Sequence, residues 1–432
     1  MGLTLTNLRL PMWLLPKPWP MDNNRGEGSA SPELANIEID DDGVIAAVTP
    51  VAMAGTPITP VYDAQGALAL PPLIDAHVHL DKTYTRARLG EIEPGLLNAI
   101  AAMKRDHQRW SEQDLFERSE RALKRSYANG CILVRTHVDW HSEQTPLAWQ
   151  VFERQAERWR SQLCLERVAL VPLTLLADRN RARAIIANVK GSRDAVMGGF
   201  IHSSNFDQNA MQILLEESQA AGVDLDLHID EELAASSGLK FLAHWLSEHE
   251  FSGRIVCGHS CALSQLDDDE ALALLDQFID KPVTFIALPA TNLLLQDATP
   301  NRTPRFRGLT LVHEMRARGI AVMFASDNVG DGFCAYGDYN PLDALLLGIY
   351  SAQLNAPFDV WSQAVCDRRY LSAAHSAEPH RDIGQSYNLI GQLADWLLFD
   401  SSELYHWPQP NYQRPRWKAM RRGVWLDMNS GL

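Results

Sequence analysis

The stretch Leu73-Ile-Asp-Ala-His-Val-His-Leu80 is a short apolar run that ends in two histidines. Seven more short apolar runs follow along the chain, and several are separated by stretches of helical periodicity. Strands that alternate with helices pair in parallel through right-handed crossovers, and eight such units close into a barrel. The eight runs cover residues 73–80, 131–137, 168–173, 195–201, 223–228, 254–258, 283–288 and 321–324.

Both ends of the chain contain strand-like runs instead. They cover residues 3–10, 394–400, 422–426 and 35–48, and the last contains the hairpin signal Asp41-Asp42-Gly43. We therefore expect an α/β fold: a (β/α)₈ TIM barrel over residues 71–384, with a small β-sandwich domain built from both termini, residues 1–70 plus 385–432. Helical periodicity covers residues 94–110, 111–128, 209–221 and 310–319, and residues 296–307 read as an irregular loop.

Composition excludes several classes of partner. The net charge of −15 opposes binding to nucleic-acid backbones and to anionic membranes. No run of 18 apolar residues predicts a membrane span, and prolines interrupt the apolar N-terminus where a signal peptide would need a clean stretch. The six cysteines are interpreted as reduced thiols. We expect a cytoplasmic enzyme that acts on a small neutral or cationic molecule, with no nucleic acid or membrane as partner.

Histidines and an aspartate end several of the eight runs. His77 and His79 lie two residues apart, so a strand places both imidazoles on one face, where they suit a divalent metal. His228 ends the fifth run, His259 the sixth, and Asp327 follows the eighth. Any one of them could be a hydrogen-bonded barrel residue or a helix cap. Because the carboxyl ends of barrel strands share one mouth, their combination favours a metal site.

These groups suit metal-assisted hydrolysis. His77, His79, His228 and Asp327 could supply three imidazoles and one carboxylate to a metal that lowers the pKa of bound water from about 15.7 toward neutrality. Asp327 could also accept a proton from that water. Glu231 could carry a proton to a ring nitrogen and then to a leaving amine. The alternative, a solvated acid at a helix start, is disfavoured because Glu231 lies next to a candidate metal ligand.

Two further observations refine this site. His137 ends the second run, where it either supports the metal site or contacts the substrate; His202, after the fourth run, has the same two readings. Two-metal hydrolases of this barrel type usually carry a bridging lysine on strand four. The fourth run has none, and Lys190 precedes it, so we expect one metal ion.

The order and spacing of these residues resemble the amidohydrolase superfamily, and more narrowly its cytosine deaminase-like branch. The resemblance extends over residues 70–423. The motifs that carry it are Asp75-Ala-His-Val-His-Leu-Asp81, Arg135-Thr-His-Val-Asp139, His228-Ile-Asp-Glu231, Gly258-His259, Pro289-x-x-Asn292-x-x-Leu-Gln296, Arg307-Gly-Leu-Thr-Leu-Val-His-Glu-Met315 and Gly319-Ile-Ala-Val-Met-Phe-Ala-Ser-Asp-Asn-Val329.

The resemblance implies one zinc or iron ion bound by the three histidines and Asp327. It also implies Glu231 as the proton shuttle and His259 as the group that orients or stabilises the attacking hydroxide, so that the catalytic residues are Glu231, His259 and Asp327. The implied reaction releases ammonia from an amino-substituted nitrogen heterocycle, and the implied assembly is a homo-oligomer.

The sequence departs from the cytosine deaminase pattern around the substrate. Those enzymes present a glutamine after strand three, whereas this chain has Leu173, which cannot pair with a pyrimidine edge; we therefore expect cytosine to be rejected. Lys82 resembles relatives that act on triazines or pterins, and Asn328 replaces a second aspartate. With His137, these three residues are the expected substrate contacts.

Two other functions compete with heterocycle deamination. The same site could remove an N-alkyl amine from a triazine or open a cyclic amide. The chain could also be a non-catalytic scaffold on the same barrel. Since such scaffolds lose metal ligands and this sequence keeps every candidate, the scaffold is disfavoured.

Overall fold

Eight parallel strands form a nearly closed barrel in the middle of the chain, as predicted. The computed structural model describes residues 2–19, 33–234, 237–372, 387–399, 402, 404, 407–408 and 417–426. Before the barrel come β1 (Leu3–Leu10), β2 (Glu33–Ile39), β3 (Ile45–Pro50), β4 (Val61–Asp63) and β5 (Ala69–Leu70). The barrel strands are β6 (Leu73–Val78), β7 (Cys131–Asp139), β8 (Cys164–Pro172), β9 (Ala195–Ile201), β10 (Leu225–Ile229), β11 (Ile255–His259), β12 (Val283–Ala287) and β13 (Ala321–Phe324). After it come β14 (Trp396–Phe399), β15 (Trp417–Arg421) and β16 (Val424–Trp425).

The barrel strands follow one another in chain order, and a short seam joins the first to the last. Val78 forms a parallel bridge with Asp327, whose N–H donates to the carbonyl of His77 at 2.8 Å. The N–H of Ser326 donates to Oδ1 of Asp75 at 2.9 Å. The closure of the barrel therefore brings Asp327 beside the first strand.

Helices pack around the outside of the barrel, and several begin at a side-chain cap. Asp207, for example, accepts a hydrogen bond from the N–H of Ala210 and so satisfies a donor that the helix itself leaves free. The α-helices are α1 (Leu96–Asp106), α2 (Glu112–Ala128), α3 (Leu147–Trp159), α4 (Leu173–Leu176), α5 (Arg179–Gly191), α6 (Gln208–Ala221), α7 (Ser237–Glu248), α8 (Asp268–Asp276), α9 (Pro289–Leu295), α10 (Val312–Ala317) and α11 (Pro341–Ala352).

Apolar side chains fill the space between strands and helices and also the barrel interior. The interior cluster includes Ile74, Ala76 and Met323, and Tyr370 and Leu371 pack against it. The hydroxyl of Thr284 donates to the carbonyl of Tyr370 at 2.6 Å. This packing gives the site a rigid base.

The two chain ends build two four-stranded sheets, in the orders β3-β2-β1-β4 and β16-β15-β14-β5. Leu5 and Ile37 from the first share one apolar core with Trp396 and Met420 from the second. The predicted β-sandwich from both termini is confirmed. The division at residues 70/71 and 384/385 stays a prediction, and residues 384 and 385 lie outside the described part.

Several predicted boundaries differ from the structure. Residues 422–426 are not one strand, because Arg422 and Gly423 have φ of 48° and 74° and form the turn of the β15–β16 hairpin. The run 168–173 ends as a strand at Pro172, and Leu173 starts α4. The helical stretches 94–110 and 310–319 are shorter, as α1 and α10. Residue 400, the end of another predicted strand, lies outside the described residues.

Within the described ranges, no helix combines the length and apolarity that crossing a bilayer requires.

Candidate active site

The side chains of His77, His79, His228 and Asp327 meet at the carboxyl ends of β6, β10 and β13. Nε2 of His228 lies 3.2 Å from Nε2 of His77 and 3.1 Å from Nε2 of His79. Oδ1 of Asp327 lies 3.6 Å from Nε2 of His77 and 3.3 Å from Nε2 of His79. The structure thus brings the four predicted metal ligands together in one cluster.

This cluster fits a divalent cation. Ligand atoms about 2.0–2.2 Å from a tetrahedral zinc ion lie roughly 3.3–3.6 Å apart, close to the separations seen here. Both carboxylate oxygens of Asp327 are buried, and neither makes a well-formed hydrogen bond within the described part of the chain, although the side chain of Thr291 favours the ionised form and lowers the pKa. A buried carboxylate so weakly paired is costly, so a cation at this point would satisfy a group that the protein leaves open.

The surroundings of the three imidazoles favour their neutral form, which is the form that binds a metal. Burial, and then the charges of neighbouring histidines, keep the pKa of His77, His79 and His228 well below the ordinary value, and the charge of Lys82 acts in the same direction on His79 and His228. The rings are therefore neutral near pH 7 and can present a lone pair to a metal. Burial raises the pKa of Asp327 to about 7, and the charge of Glu231 acts in the same direction.

Glu231 and His259 lie beside the cluster. Oε1 of Glu231 is 3.6 Å from Nδ1 of His259, and Nδ1 of His259 is 3.1 Å from the amide nitrogen of Asn292. The amide of Gln296 donates to the backbone carbonyl of Glu231 at 2.5 Å. Burial, and then the charge of Glu232, raise the pKa of Glu231 to about 8, so that its carboxyl group can exchange protons near neutral pH.

The backbone at three strand ends adopts a conformation that side chains rarely take. Asp230, His259 and Asp327 have φ of 50°, 66° and 60°, in the left-handed region. Such strain persists only where surrounding structure enforces it, and it concentrates at functional sites. It occurs here at the ends of β10, β11 and β13, next to the cluster.

A cavity of about 650 Å³ opens above the cluster. One wall is a face of α1, because Leu96, Ile100 and Met103 are spaced by four and three residues. Its other apolar lining residues are Trp110, Leu170, Pro172, Phe200 and Phe333. Its polar lining residues are His79, Lys82, Lys104, His107, Gln108, Asp139, His141, His228, Glu231, His259 and Asn328.

Lys82 is a fixed cation at the edge of this cavity. Its Nζ lies 2.7 Å from Oδ1 of Asp139 and 3.7 Å from Oδ1 of Asp81. Although burial lowers the pKa of Lys82, the two carboxylates more than reverse this effect and leave it raised. Lys82 therefore stays charged, and Asp139 holds it in place.

The structure separates the four predicted substrate contacts into two pairs. Lys82 and Asn328 line the cavity. His137 is fully buried beneath it, with its ring centroid 3.8 Å from that of His77, and Leu173 belongs to the apolar core. His202 lies at the end of β9, where its Nδ1 is 2.9 Å from the hydroxyl of Ser204.

Sequence reasoning did not assign roles to Asn292, Gln296 or Asp139. Asn292 and Gln296 are four residues apart around the end of α9, which lets one side chain reach His259 and the other reach the backbone of Glu231. That spacing was visible in the motif after the seventh run. No sequence signal indicated that Asp139 pairs with Lys82, because the contact joins two different strand ends.

Comparison with known proteins identifies the family to which the chain belongs. A model of the Amidohydrolase family matches residues 113–346. Pterin deaminase from Rhizobium rhizogenes is 32% identical over 391 residues, covering 89% of this chain and 86% of that protein. N-isopropylammelide isopropyl amidohydrolase from a Pseudomonas species is 22% identical over 356 residues, covering 78% and 81%.

A solved structure shows the same fold along nearly the whole chain. It is 5-methylcytosine deaminase from Klebsiella pneumoniae liganded with 5-fluorocytosine, with a TM-score of 0.76 and 24% sequence identity, covering 98% of this chain and 97% of that one. The superfamily resemblance predicted from the sequence motifs is confirmed by these matches.

Proposed function

This chain belongs to the amidohydrolase family, and from that premise we propose that it hydrolytically deaminates an aminated two-ring heterocycle of the pterin class. It is a hydrolase that acts on carbon–nitrogen bonds. The observation that carries the proposal is the cluster of four potential metal ligands, with Glu231 and His259 beside it, at the floor of one cavity.

His77, His79, His228 and Asp327 would hold one zinc or iron ion. When bound, such an ion lowers the pKa of coordinated water toward neutrality and so supplies a nucleophile at physiological pH. The donor set suits either metal, because imidazole and carboxylate ligands bind both. Strand β9 (Ala195–Ile201) carries no lysine that could bridge two metal ions, which supports a count of one.

Glu231 moves protons in this proposal. As a carboxylate, it accepts a proton from the attacking water and delivers it to the ring nitrogen beside the carbon that bears the amine. It then takes the remaining proton of the hydroxyl group now bonded to that carbon and passes it to the amine, so that the C–N bond breaks, a C=O bond forms and ammonia leaves. The amide of Gln296 anchors its backbone, while Asn292 orients His259 toward the same point.

The cavity supports a substrate larger than one pyrimidine ring. At about 650 Å³ it lies in the middle of the range of small-molecule sites, roughly 300–1,000 Å³. Phe200 and Trp110 offer flat apolar walls, and Lys82 and Asn328 offer hydrogen bonds to a ring carbonyl or nitrogen. The 32% identical pterin deaminase favours a pterin among heterocycles of this size.

The remaining features of the proposal rest on the sequence. The acidic charge supports a protein that binds neither nucleic acid nor membranes. A cytoplasmic location and a homo-oligomeric assembly stay predictions.

The test is product analysis with purified protein loaded with zinc or with iron. Three substrates are compared: 2-amino-4-oxopteridine, cytosine and N-isopropylammelide. We expect ammonia from the pteridine, with little from cytosine, and we expect Glu231→Gln to remove most of this activity while it keeps the metal. Release of isopropylamine as the dominant reaction would replace the proposal with alkylamine removal, and silence on all three would reject it.

A further inference from the structure

His77 lacks the hydrogen bond that usually orients a metal-binding histidine. Such ligands almost always donate their second ring N–H to a carboxylate, a carbonyl or water. Nδ1 of His77 is buried and has no hydrogen-bond partner among the described residues. No described side chain or carbonyl holds this nitrogen by a hydrogen bond, so the groups packed against the ring become important.

Gly258 borders one part of this ring. It lies in β11, directly across the sheet from His228. A Cβ added at Gly258 would stand 3.0 Å from Cε1 and 3.1 Å from Nδ1 of His77, which is closer than ordinary van der Waals contact. Only a residue without a side chain leaves the His77 ring in its present position.

His137 covers a face of the same ring. The two ring centroids are 3.8 Å apart, and the planes are tilted by 31°. His137 is itself held from below, because its Nε2 lies 3.1 Å from Oδ1 of Asp226. Oδ2 of Asp226 accepts a hydrogen bond from Arg135 at 2.9 Å, and all three of these side chains are fully buried.

We propose that Gly258 and His137 are positioning residues that clamp the His77 ring in the orientation from which its Nε2 can bind the metal. Packing here replaces the missing hydrogen bond. Asp226 contacts His137 on its far side, but the clamp depends on the flat ring of His137 and not on this hydrogen bond. The inference rests on the proposed metal site, but it does not depend on which heterocycle is the substrate.

Zinc affinity tests the clamp without any substrate. Full-length variants are titrated with zinc against a fluorescent chelator, after thermal unfolding in chelator has shown that each is folded. His137→Ala and His137→Phe both lose the hydrogen bond to Asp226, but only the second keeps a flat ring. Gly258→Ala adds the crowding methyl group. Gly199→Ala is the matched control, because that barrel glycine faces Leu214 and not the site.

We expect zinc affinity to fall about 10–100-fold in His137→Ala and Gly258→Ala, and to change by less than about threefold in His137→Phe and Gly199→Ala. Unchanged affinity in Gly258→Ala would overturn the clamp. So would an equal loss in His137→Phe and His137→Ala, since it would make the ring nitrogen, and not the ring, the important feature.

If a His137 variant does not fold, the pair Gly258→Ala and Gly199→Ala still decides the question. The result is also separate from the proposed function. Wild-type protein that binds zinc but leaves pteridines unchanged would reject the substrate and leave the clamp intact. Variants with wild-type affinity in an active deaminase would reject the clamp alone.

Discussion

Two buried clusters of ionisable groups occupy the barrel, and they differ in how completely their atoms are paired. The first, here called the lower cluster, consists of Arg135, Asp226 and Glu166. Arg135 donates to Asp226 at 2.9 Å, to Glu166 at 2.7 Å and to the carbonyl of Leu371 at 3.0 Å. In the upper cluster, which consists of His77, His79, His228 and Asp327, neither carboxylate oxygen of Asp327 makes a well-formed hydrogen bond in the described part of the chain, although the Thr291 side chain favours its ionised form.

The difference indicates what each cluster is for. Buried polar groups that are fully paired hold a structure together, whereas a buried group left without partners costs stability and persists where a ligand completes it. We therefore interpret the lower cluster as structural and the upper one as a binding site. The two clusters adjoin along β10, because Asp226 of the lower cluster and His228 of the upper cluster are two residues apart and lie on the same face of this strand.

The largest expected effect of a substitution in either cluster is that of Asp327→Ala. We expect Asp327→Ala to lower turnover by roughly 10³–10⁵-fold, since a lost metal removes several kcal/mol of transition-state stabilisation. Ammonia release from the preferred heterocycle measures this loss. In the metal-free state, the same change should leave the thermal midpoint equal or higher, because it removes a buried carboxylate that lacks a well-formed hydrogen bond.

Both halves of that expectation can fail separately. Undiminished turnover in Asp327→Ala would remove Asp327 from the metal site. A lower midpoint in chelator would mean that Asp327 stabilises the fold by itself, which would erase the contrast between the two clusters.

Glu231, beside the upper cluster, tests whether proton transfer can be separated from metal binding. We expect Glu231→Gln to reduce kcat by about 10²–10⁴-fold, because the amide cannot carry a proton. Zinc content should stay at the wild-type level, since Glu231 is not one of the four proposed ligands. Metal analysis together with single-turnover rates checks both. A loss of zinc that matches the loss of rate would instead assign Glu231 to metal binding.

Arg135 tests the lower cluster. We expect Arg135→Met to destabilise the fold by about 3–5 kcal/mol, because Asp226 and Glu166 would lose a buried cation. Urea unfolding of the metal-free protein measures this free energy. Arg193→Met is the control, since that side chain is 67% exposed. An equally small effect in both variants would show that the lower cluster is not structural.

The sequence was sufficient for much of the architecture and for placing the four candidate metal ligands in one cluster. Apolar runs that alternate with amphipathic stretches determine a barrel, and strand ends of a barrel share a mouth whatever the loops do. His77, His79, His228 and Asp327 could therefore be placed together before any distance was known. The three histidines and the aspartate are also chemically distinctive, so few alternatives compete.

The substrate contacts were harder, because they depend on where short loops begin. Leu173 was expected in the cavity, but it turns into α4 and faces the core, while Leu170 and Pro172 line the cavity. The same uncertainty applied to His137, which the sequence could assign either to support of the metal site or to contact with the substrate. Long-range pairs such as Lys82 with Asp139 leave no trace in a local pattern.

The smallest expected effect concerns pH. Glu231 acts as a base in its ionised form, so activity should fall as pH drops through its pKa. Burial and then the charge of Glu232 raise the pKa of Glu231 to about 8, and Glu232→Gln removes the second cause. The acid limb of kcat/KM should therefore move to lower pH, by less than about one unit.

The substitution is mild, because glutamine can still accept the hydrogen bond that Glu232 receives from the N–H of Ser203. Glu250→Gln, at an exposed position, is the matched control and should leave the limb in place. A bound cation lowers the pKa of Glu231 in the wild type and in Glu232→Gln alike, so the acid limb of kcat/KM lies below pH 8 in both. The limb of Glu232→Gln is still expected at the lower pH. A limb that does not move in Glu232→Gln, or that moves to higher pH, would mean that the rate follows a group other than Glu231.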